Sequence, residues 1–198
     1  EPAGIGPDLG VLLAQKNLTK NIIFIADPAL LKTSAKILKK SIKINILKNI
    51  SSKTITGNKT INVLPVKLNT KNIPGKLNPK NSAYVLDTIK TAAELCITGE
   101  AAAMVTGPIS KSVLNKGGYK ISGHTEFLAD ICKTKSVMML MNSYMKVGLH
   151  TTHVPLEYVK DFITQKSLIE TINIIHQDLI SKFKIKKPKI LVTGLNPH

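Results

Sequence analysis

Short apolar runs alternating with longer amphipathic stretches are the feature that most constrains this chain. Residues 22–26, 42–47, 59–65, 101–105, 137–141, 146–152 and 190–193 have strand character. Between them, the spacing predicts helices over 8–15, from Asp27-Pro28 to about Lys40, over 82–98, over 109–116 and over 167–183. Pro155 opens a further short helix, and residues 69–81, holding Pro74-Gly75 and Pro79, read as a loop. Ser167 with Glu170 fits a capping box, and Asp178 with Lys182 fits a helical ion pair. Strands alternating with helices predict an α/β fold with a largely parallel sheet, because parallel neighbours need a crossover between them. In such folds ligands gather at the carboxyl ends of the strands.

The apolar runs are too short for a membrane span, which takes roughly 18 residues or more. No signal peptide opens the chain, so the expectation is a soluble cytoplasmic protein with no membrane partner. At 198 residues there is material for one large domain or two small ones. The net charge of +16 comes from 28 basic residues, all of them lysine. Base readout and phosphate clamping favour the planar fork of arginine, and single-strand binding favours exposed aromatics. A chain without arginine or tryptophan, and with 4% aromatics, is therefore not expected to bind nucleic acid. Cys96 and Cys132 are far apart and read as free thiols in a reducing compartment.

Three turns beyond strand ends carry side chains capable of chemistry. In Thr106-Gly107-Pro108-Ile109-Ser110-Lys111, the glycine permits close backbone approach and Lys111 adds a positive charge one turn into a helix. The bland alternative is a plain connection bearing a surface lysine. In Ser122-Gly123-His124-Thr125-Glu126, an imidazole, a hydroxyl and a carboxylate follow a glycine, which suits a polar ligand; lone loop histidines are more often structural. His153 and His198 each follow a strand, with Pro155 two residues after the one and Pro197 just before the other, and two imidazoles on a shared sheet edge are candidate ligands for a divalent metal. A third ligand is still required. Residues three apart on a strand face opposite ways, so His150 is not expected to supply it. His176 reads as a packing residue on the long helix.

Five segments together resemble the 4-hydroxythreonine-4-phosphate dehydrogenase (PdxA) family of pyridoxine biosynthesis. They are Glu1-Pro2-Ala3-Gly4-Ile5-Gly6-Pro7, Ala103-Met104-Val105-Thr106-Gly107-Pro108-Ile109-Ser110-Lys111, Gly123-His124-Thr125-Glu126-Phe127, Thr151-Thr152-His153-Val154-Pro155 and Gly194-Leu195-Asn196-Pro197-His198. They stand in the family's order and at similar spacing, and the resemblance runs along the whole chain. It implies a two-lobed α/β fold like that of isocitrate and isopropylmalate dehydrogenases, incomplete here. The lobes are expected as 1–123, the N-terminal part of the first, and 124–198, the start of the second. Residue by residue, His153 and His198 match metal ligands, while His124 and Thr125 match a substrate-contacting pair. Lys111 has no assigned family role and stands as a candidate for handling anionic groups.

The implied activity is oxidation of 4-phosphohydroxy-L-threonine by NAD or NADP with one divalent ion (zinc, magnesium or cobalt). The product, 2-amino-3-oxo-4-phosphohydroxybutanoate, loses carbon dioxide to give 3-amino-2-oxopropyl phosphate. The resemblance also implies a homodimer whose active sites draw on both subunits. The third metal ligand and much of the NAD site are expected beyond His198, so the 198 residues alone are expected to be inactive. The alternatives are a sister dehydrogenase of a phosphorylated four-carbon sugar acid, such as phospho-threonate or phospho-erythronate, and, more distantly, a phosphate acyltransferase.

Overall fold

The computed structural model describes residues 1–18, 21–50, 58–121 and 123–196. Part of the expected turn near Gly57, the residue Ser122 and the candidate ligand His198 lie outside the described residues. The chain divides into two compact units, Glu1–Thr134 and Lys135–His198. Residues 124–134 fall in the first of these units.

The first unit is built on a three-stranded parallel sheet of β1 (Ile23–Ala26), β2 (Lys43–Ile46) and β3 (Thr60–Pro65), in the order β1-β3-β2. The register sets Phe24 beside Val63 and Ile44 beside Ile61. Alternation along β3 turns Ile61 and Val63 to one face, where both are fully buried with Leu31 and Ala14. These partners come from the helices α1 (Gly6–Ala14) and α2 (Pro28–Ile37). Burying side chains of this size contributes about 1.5–3 kcal/mol each. Asn62, between them on the other face, is also buried, and its Oδ1 accepts a bond from Asn45 Nδ2 at 3.0 Å. A second cluster joins Leu30 to Tyr84, Val85, Leu86 and Ile89 of α3 (Ser82–Ile97), and to Leu114 of α4 (Lys111–Lys116). Phe127 and Leu128 of α5 (His124–Cys132) pack against it.

Asp27 explains where α2 begins. Its Oδ1 accepts the Ala29 N–H at 2.8 Å, capping a helix whose first residue is Pro28. The helix ends at Ile37 rather than near Lys40, because Lys39 turns into the left-handed region at φ 52°. Cys96 and Cys132 are free thiols, as expected.

In the second unit β4 (Met138–Met141) and β5 (Lys146–Leu149) form an antiparallel hairpin, with Met138 beside Leu149. Asn142 Oδ1 closes its turn by accepting from the Tyr144 and Met145 N–H groups, both at 2.8 Å. After a 3-10 turn and the short α6 (Val159–Phe162), the long α7 (Gln165–Ser181) packs on the hairpin, with Ile175 closely against Gly148. The Asp178–Lys182 ion pair forms as expected, at 2.9 Å. No helix among the described residues is long and apolar enough to cross a membrane.

Four expectations need correction. Residues 101–105 and 190–193 form no strand; a strand exists as a hydrogen-bonded pair, and no described segment pairs with either. Val105 and Leu191 are accordingly 98% and 95% exposed. The strand expected over 146–152 ends at Leu149, where His150 turns to bond with α7. His176 is exposed rather than packed. Finally, the capping box lies three residues earlier than read: Thr164 Oγ1 accepts the Ser167 N–H, and Ser167 Oγ accepts the Thr164 N–H, both at 3.1 Å. Glu170 instead pairs with Lys135 at 2.8 Å.

Thr164→Ala is expected to lower stability by about 1 kcal/mol, and Glu170→Ala by less. Denaturant titration of both variants checks the order; the reverse would restore the box to Ser167 and Glu170.

Candidate functional site

In the first unit, two of the three candidate turns meet. Ser110 is extended (φ −104°), and its carbonyl accepts the Val113 and Leu114 N–H groups at 3.1 and 3.0 Å, starting α4. Val113 and Leu114 are buried, which anchors the helix and leaves Lys111 at its first, exposed position. At the far end Gly117 packs so closely on Ser82 that an added Cβ would also stand 2.8 Å from the Pro79 carbonyl oxygen.

Gly123 precedes α5 with φ 167°, an extended conformation open to any residue, so its requirement is for space. A Cβ there would stand 3.1 Å from Glu126 Oε2 and 3.3 Å from both Cε and Nζ of Lys111. The Lys111 ammonium thus sits over the backbone one residue before His124. The apolar grip of Phe127 and Leu128 on the α3 cluster sets how α5 lies, and with it the position of His124. His124 Nε2 is buried and has no hydrogen-bond partner among the described residues. A buried polar atom without a partner costs about 1–3 kcal/mol, which an incoming ligand group can recover. Thr125, next on the helix, is exposed.

The opening segment joins the same place. The amino group of Glu1 donates to the Pro108 carbonyl at 3.2 Å. Asn72 Nδ2 donates to the Pro2 carbonyl at 3.0 Å, and the Gly75 N–H to the Ala3 carbonyl at 2.8 Å. Glu1 and Gly123 were given no role by the sequence reading. The available signal was the small, turn-rich composition of their motifs, which marks close backbone approach without naming the partner.

Burial holds the His124 imidazole below its ordinary pKa, and the positive charge of Lys111 pushes it the same way. Below about pH 6.5, where a free imidazole takes up a proton, the unfolded chain binds one that the folded chain resists. The stability from neutral His124 is therefore complete above that pH and declines as pH falls toward the lower folded value.

The second unit holds the remaining described histidines. His150 is occupied: Nδ1 lies 3.0 Å from Thr171 Oγ1, and Nε2 lies 3.2 Å from Ser167 Oγ and 3.3 Å from the Phe162 carbonyl oxygen. It stitches the end of β5 to α7. His153 is exposed and held at φ 56°, a left-handed conformation uncommon outside glycine and often kept at functional turns. Because 190–193 is not a strand, the shared sheet edge expected for His153 and His198 is absent from the described residues. No group of three or more His, Cys, Asp or Glu among the described residues could hold a metal ion.

His124→Gln is expected to flatten the stability–pH profile on the acid side of about pH 6.5. Denaturation across a pH series measures it, and an unchanged slope would remove His124 as the titrating group.

Comparison with known proteins places this geometry. The family model described as pyridoxal phosphate biosynthetic protein PdxA matches residues 18–198. A protein of Saccharophagus degradans named 4-hydroxythreonine-4-phosphate dehydrogenase is 46% identical over 199 residues, covering 100% of this chain and 59% of its own length. One of the same name from Yersinia enterocolitica is 45% identical, covering 100% and 60%. A crystal structure of 4-hydroxythreonine-4-phosphate dehydrogenase from Klebsiella pneumoniae superposes with TM-score 0.88 at 27% identity, covering 100% of this chain and 62% of that one. The chain therefore spans about 60% of the length of the curated relatives it matches. The fold, the ordered motifs and the identity along the full chain agree, and the chain belongs to the PdxA family.

Proposed function

We propose that the protein, at the length typical of its family, oxidises 4-phosphohydroxy-L-threonine with NAD or NADP, in the cytoplasm, as a step of pyridoxal phosphate biosynthesis. The observation that carries the reading is the convergence of three family-like motifs on His124 and its unused, buried Nε2. The names of the relatives support the substrate class. In this reading His124 and Thr125 contact the substrate, and Lys111 adds positive charge for its anionic groups. Bound NAD or NADP would accept the hydride from the carbon bearing the substrate's hydroxyl group, whose proton would be released. The β-keto acid formed loses carbon dioxide readily, because the new ketone stabilises the electron pair left behind. The working unit is a homodimer with shared active sites, its lobes dividing near residue 123.

The proposed divalent ion, zinc, magnesium or cobalt, takes His153 and His198 as two of its ligands. Among the described residues the fit rests on His153: an exposed imidazole with no hydrogen bond, presented by a left-handed turn. When bound, such an ion favours the alkoxide from which hydride leaves.

The test uses the full-length protein. NAD reduction with 4-phosphohydroxy-L-threonine, faster than with phospho-threonate, is the expected result; the reverse preference would reassign it to the sister activity. His153→Ala is expected to lose stoichiometric metal and to slow turnover by roughly 100-fold or more, since even outer-shell changes cost 10–100-fold. Retention of both by the variant would remove His153 from the metal site.

A further inference from the structure

His124 offers one buried nitrogen with nothing to bond, and the surroundings determine in which protonation state it does so. From α3, the helix that α5 packs against, the contact is apolar, through the cluster of Tyr84, Val85 and Ile89. The Tyr84 phenol accepts the Asp27 N–H at 3.3 Å and is pushed up to about 12, mainly by burial, so it stays neutral. The charged side chains at this corner are the Glu126 carboxylate on the helix itself and Lys111 from α4. Lys111, at an exposed position, brings Nζ and Cε over Gly123, into the space that the missing Cβ leaves open.

We propose that Lys111 is the positioning residue for His124: its ammonium, seated over Gly123, keeps the imidazole neutral, so that Nε2 accepts a hydrogen bond from a hydroxyl or ammonium group of the ligand. An imidazolium has no lone pair to offer, and so cannot accept. Burial, and after it the charge of Lys111, pushes imidazole protonation downward, which supports this assignment. In this role, apart from any charge it presents to the substrate, Lys111 acts through His124, and the inference rests on the reading of His124 as a substrate contact.

The experiment compares full-length wild type with Lys111→Met, which removes the charge and keeps the stem, and Lys111→Arg, which keeps the charge. Imidazole NMR follows the titration of His124, and KM for 4-phosphohydroxy-L-threonine is measured across pH. In Lys111→Met the His124 titration is expected to move to higher pH, and the rise of KM on acidification to begin at correspondingly higher pH. Lys111→Arg is expected to restore both. An unmoved titration in Lys111→Met, or an arginine that fails to restore it, overturns the proposal. A moved titration with an unmoved KM profile upholds the coupling of Lys111 to His124 and overturns instead the assignment of His124 to the substrate.

Discussion

Asp27 joins four parts of the first unit through three polar groups. One carboxylate oxygen caps α2, and the other accepts the Leu68 N–H at 2.9 Å just after β3; its backbone N–H donates to Tyr84 of α3. The end of β1, the start of α2, the exit from β3 and the third helix are thus tied to one residue. A hydrogen bond to a charged group contributes more than one between neutral partners, and Asp27 makes two through its carboxylate. The path of the chain beyond Leu68 follows from that anchor. Asn69 Oδ1 accepts the Tyr84 N–H at 3.1 Å, Asn81 Oδ1 accepts the Thr70 N–H at 2.9 Å, and Asn72 holds Pro2. The opening Gly/Pro motif reaches the Pro108 turn through this relay of short polar side chains, each meeting a backbone group that a loop would otherwise leave unpaired.

The candidate site inherits its geometry from packing rather than from its own polar contacts. Leu114 fixes α4, and Phe127 and Leu128 fix α5, on the same apolar cluster. Lys111 and His124 stand at the first positions of these two helices. Two glycines make the approach possible by lacking a side chain: Gly117 against Ser82 and the Pro79 carbonyl, and Gly123 beneath Lys111 and Glu126. Neither is at a positive φ, so their value is room.

Much of the fold was legible locally. Periodicity located the helices at Ser82–Ile97 and Gln165–Ser181 and the three parallel strands to within a few residues, because burial on one face is written at fixed intervals. Cap identity was less legible: Ser167 serves its helix, but with Thr164, because several hydroxyls near a helix start can satisfy the same free N–H groups. Residues 101–105 and 190–193 have strand composition and form no strand, since composition states a preference while a ladder needs a neighbour.

By itself, the sequence determined the α/β class, the family and the short set of residues able to do chemistry, all carried by local spacing and ordered motifs. Tertiary structure decided which of them matter to one another. It placed Lys111 over the glycine before His124, left one imidazole nitrogen of His124 buried and unpaired, and bound both nitrogens of His150 to the end of a helix. Those outcomes depend on contacts between residues far apart in the chain, and on the polarity of what surrounds them, which no run of neighbouring letters encodes.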